Sequence, residues 1–198
     1  MQQLLIATGN RGKLVEIQSL LNGLEIELVI PEMLGIELKV DETGSTYEEN
    51  AALKADAFAK VSGLVTLGDD SGLEVDILGG QPGLRSARFS PLPGATDADR
   101  RTYLLSFLQG RPRPWTAHFH CTCAIAMPNG KVYFAQGNCP GEIIPEERGS
   151  NGFGYDPIFL LPGLGLTMAE LSMQEKNQYS HRARALKAAM PILKVLFS

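Results

Sequence analysis

The chain is poor in cysteine, in tryptophan and in positive charge. It has three cysteines and one tryptophan among 198 residues. A small, odd cysteine count offers no disulfide framework and fits a reduced, cytoplasmic compartment. Lysine and arginine number 18 against 22 aspartates and glutamates, a net charge of -4. Nucleic-acid binders carry the opposite balance, so no nucleic-acid partner is expected. A small anionic ligand stays compatible, because cations can cluster locally in an acidic chain. No stretch approaches the roughly 18 consecutive apolar residues of a membrane span. Residues 1–10 lack a basic start and carry only a short apolar run, so no secretory signal is expected either.

What is present is ordinary for a globular chain: 44% of the residues are hydrophobic. No repeat, linker or low-complexity tract interrupts it, so residues 1–198 read as a single domain. Residues 4–7 read as a buried strand, Thr8-Gly9-Asn10 as a turn, and Leu14, Ile17 and Leu21 as one face of the following helix. Residues 27–30 are a second strand. Residues 45–63 form the clearest helix, with Ser45 and Glu48 as a capping box and Gly63 as its stop. Residues 64–67 are then a strand that Gly68-Asp69-Asp70-Ser71-Gly72 breaks. Thr96 and Asp99 open a further helix, ended by Gly110. Residues 115–127 and 131–136 form a hairpin around Asn129-Gly130. Residues 158–161 are another strand. A last helix covers residues 181–197, with a kink or break at Pro191. This order predicts an α/β fold, a mixed twisted sheet with helices on its faces.

His118-Phe119-His120-Cys121-Thr122-Cys123 looks like a metal site, but a strand would put the two histidines on one face and the two thiols on the other. Four ligands could not converge, so sheet residues are expected there and not zinc.

Four other stretches carry chemistry. Thr8-Gly9-Asn10-Arg11-Gly12-Lys13 lies between a strand and a helix, where backbone N–H groups favour an anion and Lys13 adds a mobile charge; an ordinary glycine turn with a surface lysine would explain the same residues. It is not a Walker A loop, because Leu14 follows the lysine where Ser or Thr is required. Asp69 and Asp70 follow a buried strand. Adjacent carboxylates repel unless a cation intervenes, and Mg2+ takes one or two carboxylates together with substrate phosphates; a polar turn would explain the same residues. Glu42 adds a carboxylate before the capped helix, and Lys54 lies within that helix. Phe153, flanked by glycines in Ser150 to Pro157, either stacks on a ligand ring or plugs the loop. Finally, Glu175-Lys176 and His181-Arg182 read as charges at the start of the last helix, where the helix dipole disfavours cations, so either an anion or carbonyl-rich ligand or a solvated face would account for them.

Taken together and in order, Thr8-Gly9-Asn10 with Lys13, Asp69-Asp70-Ser71-Gly72-Leu73, Pro82-Gly83 with Ser86-Ala87-Arg88, Gly152 to Pro157 and Ser180-His181-Arg182 resemble the inosine triphosphate pyrophosphatase family, the bacterial dITP/XTP pyrophosphatases. The resemblance covers nearly the whole chain. It implies an elongated two-lobed domain with a central nucleotide cleft, a Mg2+ cofactor, a homodimer and hydrolysis of dITP, ITP and XTP to monophosphate and pyrophosphate. Carried onto matching positions, it implies Asp70 as catalytic carboxylate and metal ligand, with Glu42 as a second ligand. Thr8, Gly9, Asn10, Arg11, Gly12 and Lys13 would hold the triphosphate. Ser71, Phe153, Gly154, Tyr155, Asp156, Lys176, His181 and Arg182 would bind substrate, Phe153 against the base and Arg182 at its 6-oxo group. Asp69 and Lys54 would support. A catalytically silent nucleotide binder on the same fold is the alternative.

Overall fold

The computed structural model describes residues 2–198. These residues build a seven-stranded sheet in the order β2-β1-β3-β4-β5-β6-β7. Strand β1 (Gln3–Ile6) runs parallel to both β2 (Glu27–Val29) and β3 (Val65–Val75). Strands β4 (Trp115–Ala126) and β5 (Val132–Ile143) follow, and β6 (Phe159–Leu161) pairs antiparallel with both β5 and β7 (Leu166–Thr167). The sheet is therefore mixed, as the sequence predicts. Five α-helices connect it among the described residues: α1 (Arg11–Leu21), α2 (Tyr47–Ser62), α3 (Asp97–Leu108), α4 (Met173–Tyr179) and α5 (His181–Leu196).

The chain resolves into two compact units. The first holds the chain up to Asp70, with Cys121–Gly137 and Arg182–Ser198. Its core obeys the two-residue period of β1. Leu4 and Ile6 pack with Ile17 and Leu21 of α1 and Leu186, Ala189 and Leu193 of α5. Leu5 and Ala7 join Val29 and Phe58 of α2 in a separate cluster. Ala51, Ala55 and Ala59 of α2 meet Ala124 and Ala126. Small side chains let α2 approach closely, and Gly68 is where it does so. A Cβ at Gly68 would lie 3.0 Å from the Ala51 carbonyl oxygen and 3.2 Å from Ala55 Cβ. The second unit, Ser71–His120 with Asn138–His181, buries Leu73, Leu104, Leu108, Trp115, Phe119, Phe159 and their neighbours.

Several boundaries differ from expectation. β3 does not break at Gly68; it runs through Asp69 and Asp70 to Val75, so both carboxylates sit inside a strand. The cap of α2 is shifted by one residue. Thr46 keeps an extended backbone and its Oγ1 accepts from Glu49 N at 3.1 Å, while Glu49 Oε2 accepts from Ser45 N at 2.6 Å. Gly63 stops the helix as expected, with φ 70°. Lys176 belongs to the separate helix α4, and Pro191 lies within a continuous α5, whose residues Ala189 and Leu193 are buried on either side of it. His118 and His120 are half-buried while Cys121 and Cys123 are fully buried, and none of the three cysteines forms a disulfide among the described residues.

The Gly68 contact generates a stability prediction. Gly68→Val would force α2 away from β3 and is expected to cost about 1–3 kcal/mol in urea unfolding, the usual penalty of overpacking. An unchanged midpoint would mean that α2 does not depend on this approach.

Candidate active site

Asn10 caps α1. Its side-chain oxygen accepts from Lys13 N at 3.1 Å, and Thr8 Oγ1 accepts from Asn10 N at 3.2 Å. The first turn of α1 contains no acidic residue, so beyond the Asn10 cap no side-chain negative charge offsets its N–H dipoles, and Gly9, Asn10 and Arg11 are exposed. Lys13 reaches inward instead, and its Nζ lies 3.0 Å from Asp69 Oδ2.

Asp69 is 1% exposed. Its Oδ2 also accepts from Arg182 Nε and Nη2, each at 3.3 Å. Arg182 Nη1 in turn donates to Glu16, itself buried on α1. Asp69 Oδ1 is buried and has no hydrogen-bond partner among the described residues. Burial alone would push the Asp69 carboxyl up. Lys13, Arg182 and Lys54 overcome that and hold it well below the usual carboxylate range. For Arg182 burial opposes the charge, and Glu16 and Asp69 more than restore it.

The neighbouring carboxylate is held differently. Asp70 is 7% exposed, and Asn50 Nδ2 donates to its Oδ2 at 3.1 Å. Burial raises its pKa, and Glu42 adds to the rise; Lys13, the Asn50 bond and Lys54 only partly counter them. Lys54 Nζ sits 2.5 Å from Glu42 Oε1 and donates to the Asp69 carbonyl oxygen at 2.9 Å. A cavity of about 400 Å³ opens beside this cluster, lined by Thr8, Gly9 and Lys54 together with Ile36, Val40 and Phe58. No group of three or more His, Cys, Asp or Glu side chains among the described residues is arranged to hold a metal. The acidic supply is Asp70 and Glu42, with the orphaned Asp69 oxygen behind them. That suits an ion completing its shell with substrate oxygens and water.

The second unit holds another predicted group. Asp156 Oδ2 accepts from Phe153 N at 2.9 Å and forms an ion pair with the buried Lys176. Lys176 Nζ lies 5.3 Å from the Phe153 ring centroid. Gly152 has φ 73°, and a Cβ there would come within 2.0 Å of Asp156 Oδ2, so the loop needs glycine at that position. His181 stacks on Phe119, ring centroids 4.7 Å apart. Ser71 begins this unit and is half-buried.

One expectation changes. Arg182 is expected at the 6-oxo group of a base, yet its guanidinium is 1% exposed and turned to Asp69 and Glu16. Gly154 and Tyr155 make contacts within the second unit. Gly154 N donates to Asp97 at 2.7 Å, and the buried Tyr155 hydroxyl donates to the Ser86 carbonyl at 2.9 Å. Sequence reasoning missed Glu16 and Asn50. Helical spacing could have found both, Glu16 three residues after Lys13 and Asn50 between Tyr47 and Lys54 on one face of α2.

A mixed α/β sheet carries two unlike buried carboxylates beside a lysine and a helix N-terminus, an arrangement with the chemistry to suit a phosphate-handling class of protein. The model of the Ham1 family matches residues 4–192, and the chain belongs to that family. It is 47% identical over 197 residues to a dITP/XTP pyrophosphatase of Desulforamulus reducens, covering 98% of this chain and 97% of that one. A dITP/XTP pyrophosphatase of Geobacter sulfurreducens is 46% identical over 187 residues, 94% of each chain. Among solved structures, a HAM1 protein from Coxiella burnetii superposes with a TM-score of 0.88 at 41% identity, covering 98% of this chain and 99% of that one.

The buried Asp69 makes stability pH-dependent. Its folded pKa is depressed, so its contribution is complete above the unfolded carboxylate value near about 4 and is lost as pH falls below it. Asp69→Asn is therefore expected to flatten the acid limb of stability below about pH 4, by up to about 1.4 kcal/mol per pH unit. A limb of unchanged slope would exclude Asp69 as its source.

Proposed function

We propose that this chain hydrolyses non-standard purine nucleoside triphosphates, dITP, ITP and XTP, to the monophosphate and pyrophosphate, and so removes them before incorporation into DNA or RNA. The observation that carries the reading is the meeting of Lys13, at a start of α1 without acidic residues, with the Asp69–Asp70 pair. Its relatives named dITP/XTP pyrophosphatases support it over nearly their whole length.

The residues divide the work. Thr8 to Lys13 bind the triphosphate through backbone N–H groups and the lysine charge. Asp70, kept basic by burial, accepts the proton of the water that attacks the α-phosphorus. Asp70 and Glu42 would hold Mg2+, which when bound neutralises charge on the departing pyrophosphate. Lys54 orients Glu42. Arg182 acts through Asp69, holding the carboxylate to which Lys13 is paired. The base falls to Phe153, Lys176 and His181. Phe153 offers a ring face, and cationic or N–H donors suit the 6-oxo group of hypoxanthine and xanthine while leaving the 6-amino group of adenine unmatched. A homodimer and a cytoplasmic setting complete the proposal; three buried cysteines outside any disulfide are in keeping with the latter. No described helix is long and apolar enough to cross a membrane. A silent nucleotide binder is not favoured, because a second buried carboxylate beside Asp69 costs stability without aiding capture of an anion.

Pyrophosphate release from dITP, ITP, XTP, dATP, dGTP and dTTP, with and without Mg2+, tests the reading. Turnover confined to the first three with Mg2+ is expected, and equal turnover of all six would refute it. Asp70→Asn should lower kcat by about 10²–10⁴-fold with the fold intact. Near-normal kcat would remove Asp70 from its role.

A further inference from the structure

The chemistry proposed above depends on Asp70 and Glu42, which come from different segments. Asp70 lies inside β3, and Glu42 lies in the loop that precedes α2. One buried side chain touches both segments. Asn50, 2% exposed on α2, donates from Nδ2 to Asp70 Oδ2 at 3.1 Å and accepts at Oδ1 from Gly44 N at 2.7 Å. A carboxamide is the one short side chain with a donor and an acceptor on the same planar group, so neither a carboxylate nor an aliphatic isostere repeats both contacts. The loop is shaped for this contact. A Cβ at Gly44 would stand 2.8 Å from Asn50 Oδ1 and 2.6 Å from Glu49 Cβ, so only glycine lets the loop backbone close on the amide. One turn further along the same face, Lys54 holds Glu42 and the Asp69 carbonyl. The face of α2 thus spans loop and strand twice.

We propose that Asn50 is a positioning residue for the reaction, its side-chain amide fixing the orientation of the Asp70 carboxylate and tying the Glu42 loop to it. The proposal rests on the pyrophosphatase reading. Because Asn50 donates to one carboxylate oxygen, it restricts rotation of Asp70, and a base or ligand that rotates loses alignment with its target. Because the same group anchors the loop at Gly44, the segment that carries Glu42 is tied to β3.

The test uses the full chain with Asn50→Ala and Asn50→Asp. Read for each are kcat and KM for dITP at saturating Mg2+, Mn2+ binding to the nucleotide-free protein by electron paramagnetic resonance, and the melting temperature. Asn50→Ala is expected to lower kcat about 10–100-fold with KM changed less than about threefold, and to weaken Mn2+ binding about tenfold or more. Asn50→Asp can still accept from Gly44 N but places an acceptor against Asp70. It should keep the melting temperature more nearly than Asn50→Ala and still lose kcat about tenfold or more. Wild-type kcat in Asn50→Asp would overturn the proposal. So would an Asn50→Ala protein whose activity falls only as far as its folded fraction while Mn2+ binding stays at the wild-type level. A wild-type protein that releases no pyrophosphate from any triphosphate would instead overturn the functional reading, and the Mn2+ comparison among the three proteins would still decide whether Asn50 organises the carboxylates.

Discussion

A carboxylate sealed inside a sheet is the constraint on which the first unit depends. Leaving Asp69 charged and unpaired at its depth would cost several kcal/mol, more than a domain of ordinary stability can lose without consequence. The chain answers with Lys13 from α1 and Arg182 from the first turn of α5, and Arg182 is balanced in turn by Glu16. The ion network therefore joins three elements distant in sequence and locks the start of α1 against β3. The geometry of Thr8 to Lys13, proposed above to bind phosphate, is a by-product of that locking: the lysine is held at one end by Asp69, and the helix start that it shares faces outward.

The alternation of β3 gives the two aspartates different lives. Asp69 faces the partners supplied by α1 and α5, and its acid strength rises because cations surround it. Asp70 points to the opposite side, toward α2, where Asn50 supplies a neutral donor and burial dominates. Two titratable groups whose surroundings push their pKa values apart are the usual signature of divided acid–base labour. Under the proposed function, one carboxylate stays ionised to organise the site and the other stays basic to work in it. This division assigns Arg182 to the organising side.

Local rules made much of this visible in the sequence. Asn10, Thr96 with Asp99, and Gly63 mark helix ends by side chains and backbone geometry that act within four residues, and all three helix ends stand. Asn129-Gly130 likewise marks the β4–β5 turn. The failures share a cause. Gly68-Asp69-Asp70-Ser71-Gly72 has the composition of a turn, yet α2 presses on Gly68 and cations from afar hold Asp69, so the strand continues. Arg182 carried no local sign of its true partners, because Glu16 is 166 residues away in sequence. Asn50 has an unremarkable place in a capped helix until β3 is packed against it. Local structure is legible where one segment carries it, as in the Thr96–Asp99 cap of α3, and illegible where tertiary contact decides it, as at Asp69 and Asn50.

The most direct measurement of the central claim, that this cluster directs water to the α-phosphorus of a purine nucleoside triphosphate, is hydrolysis of dITP in oxygen-18 water with mass analysis of both products. The account predicts one heavy oxygen in the monophosphate and none in pyrophosphate. Label in the pyrophosphate would place the attack at the β-phosphorus, and release of orthophosphate would place it at the γ-phosphorus; either result would contradict the assignment of Lys13 and Asp70.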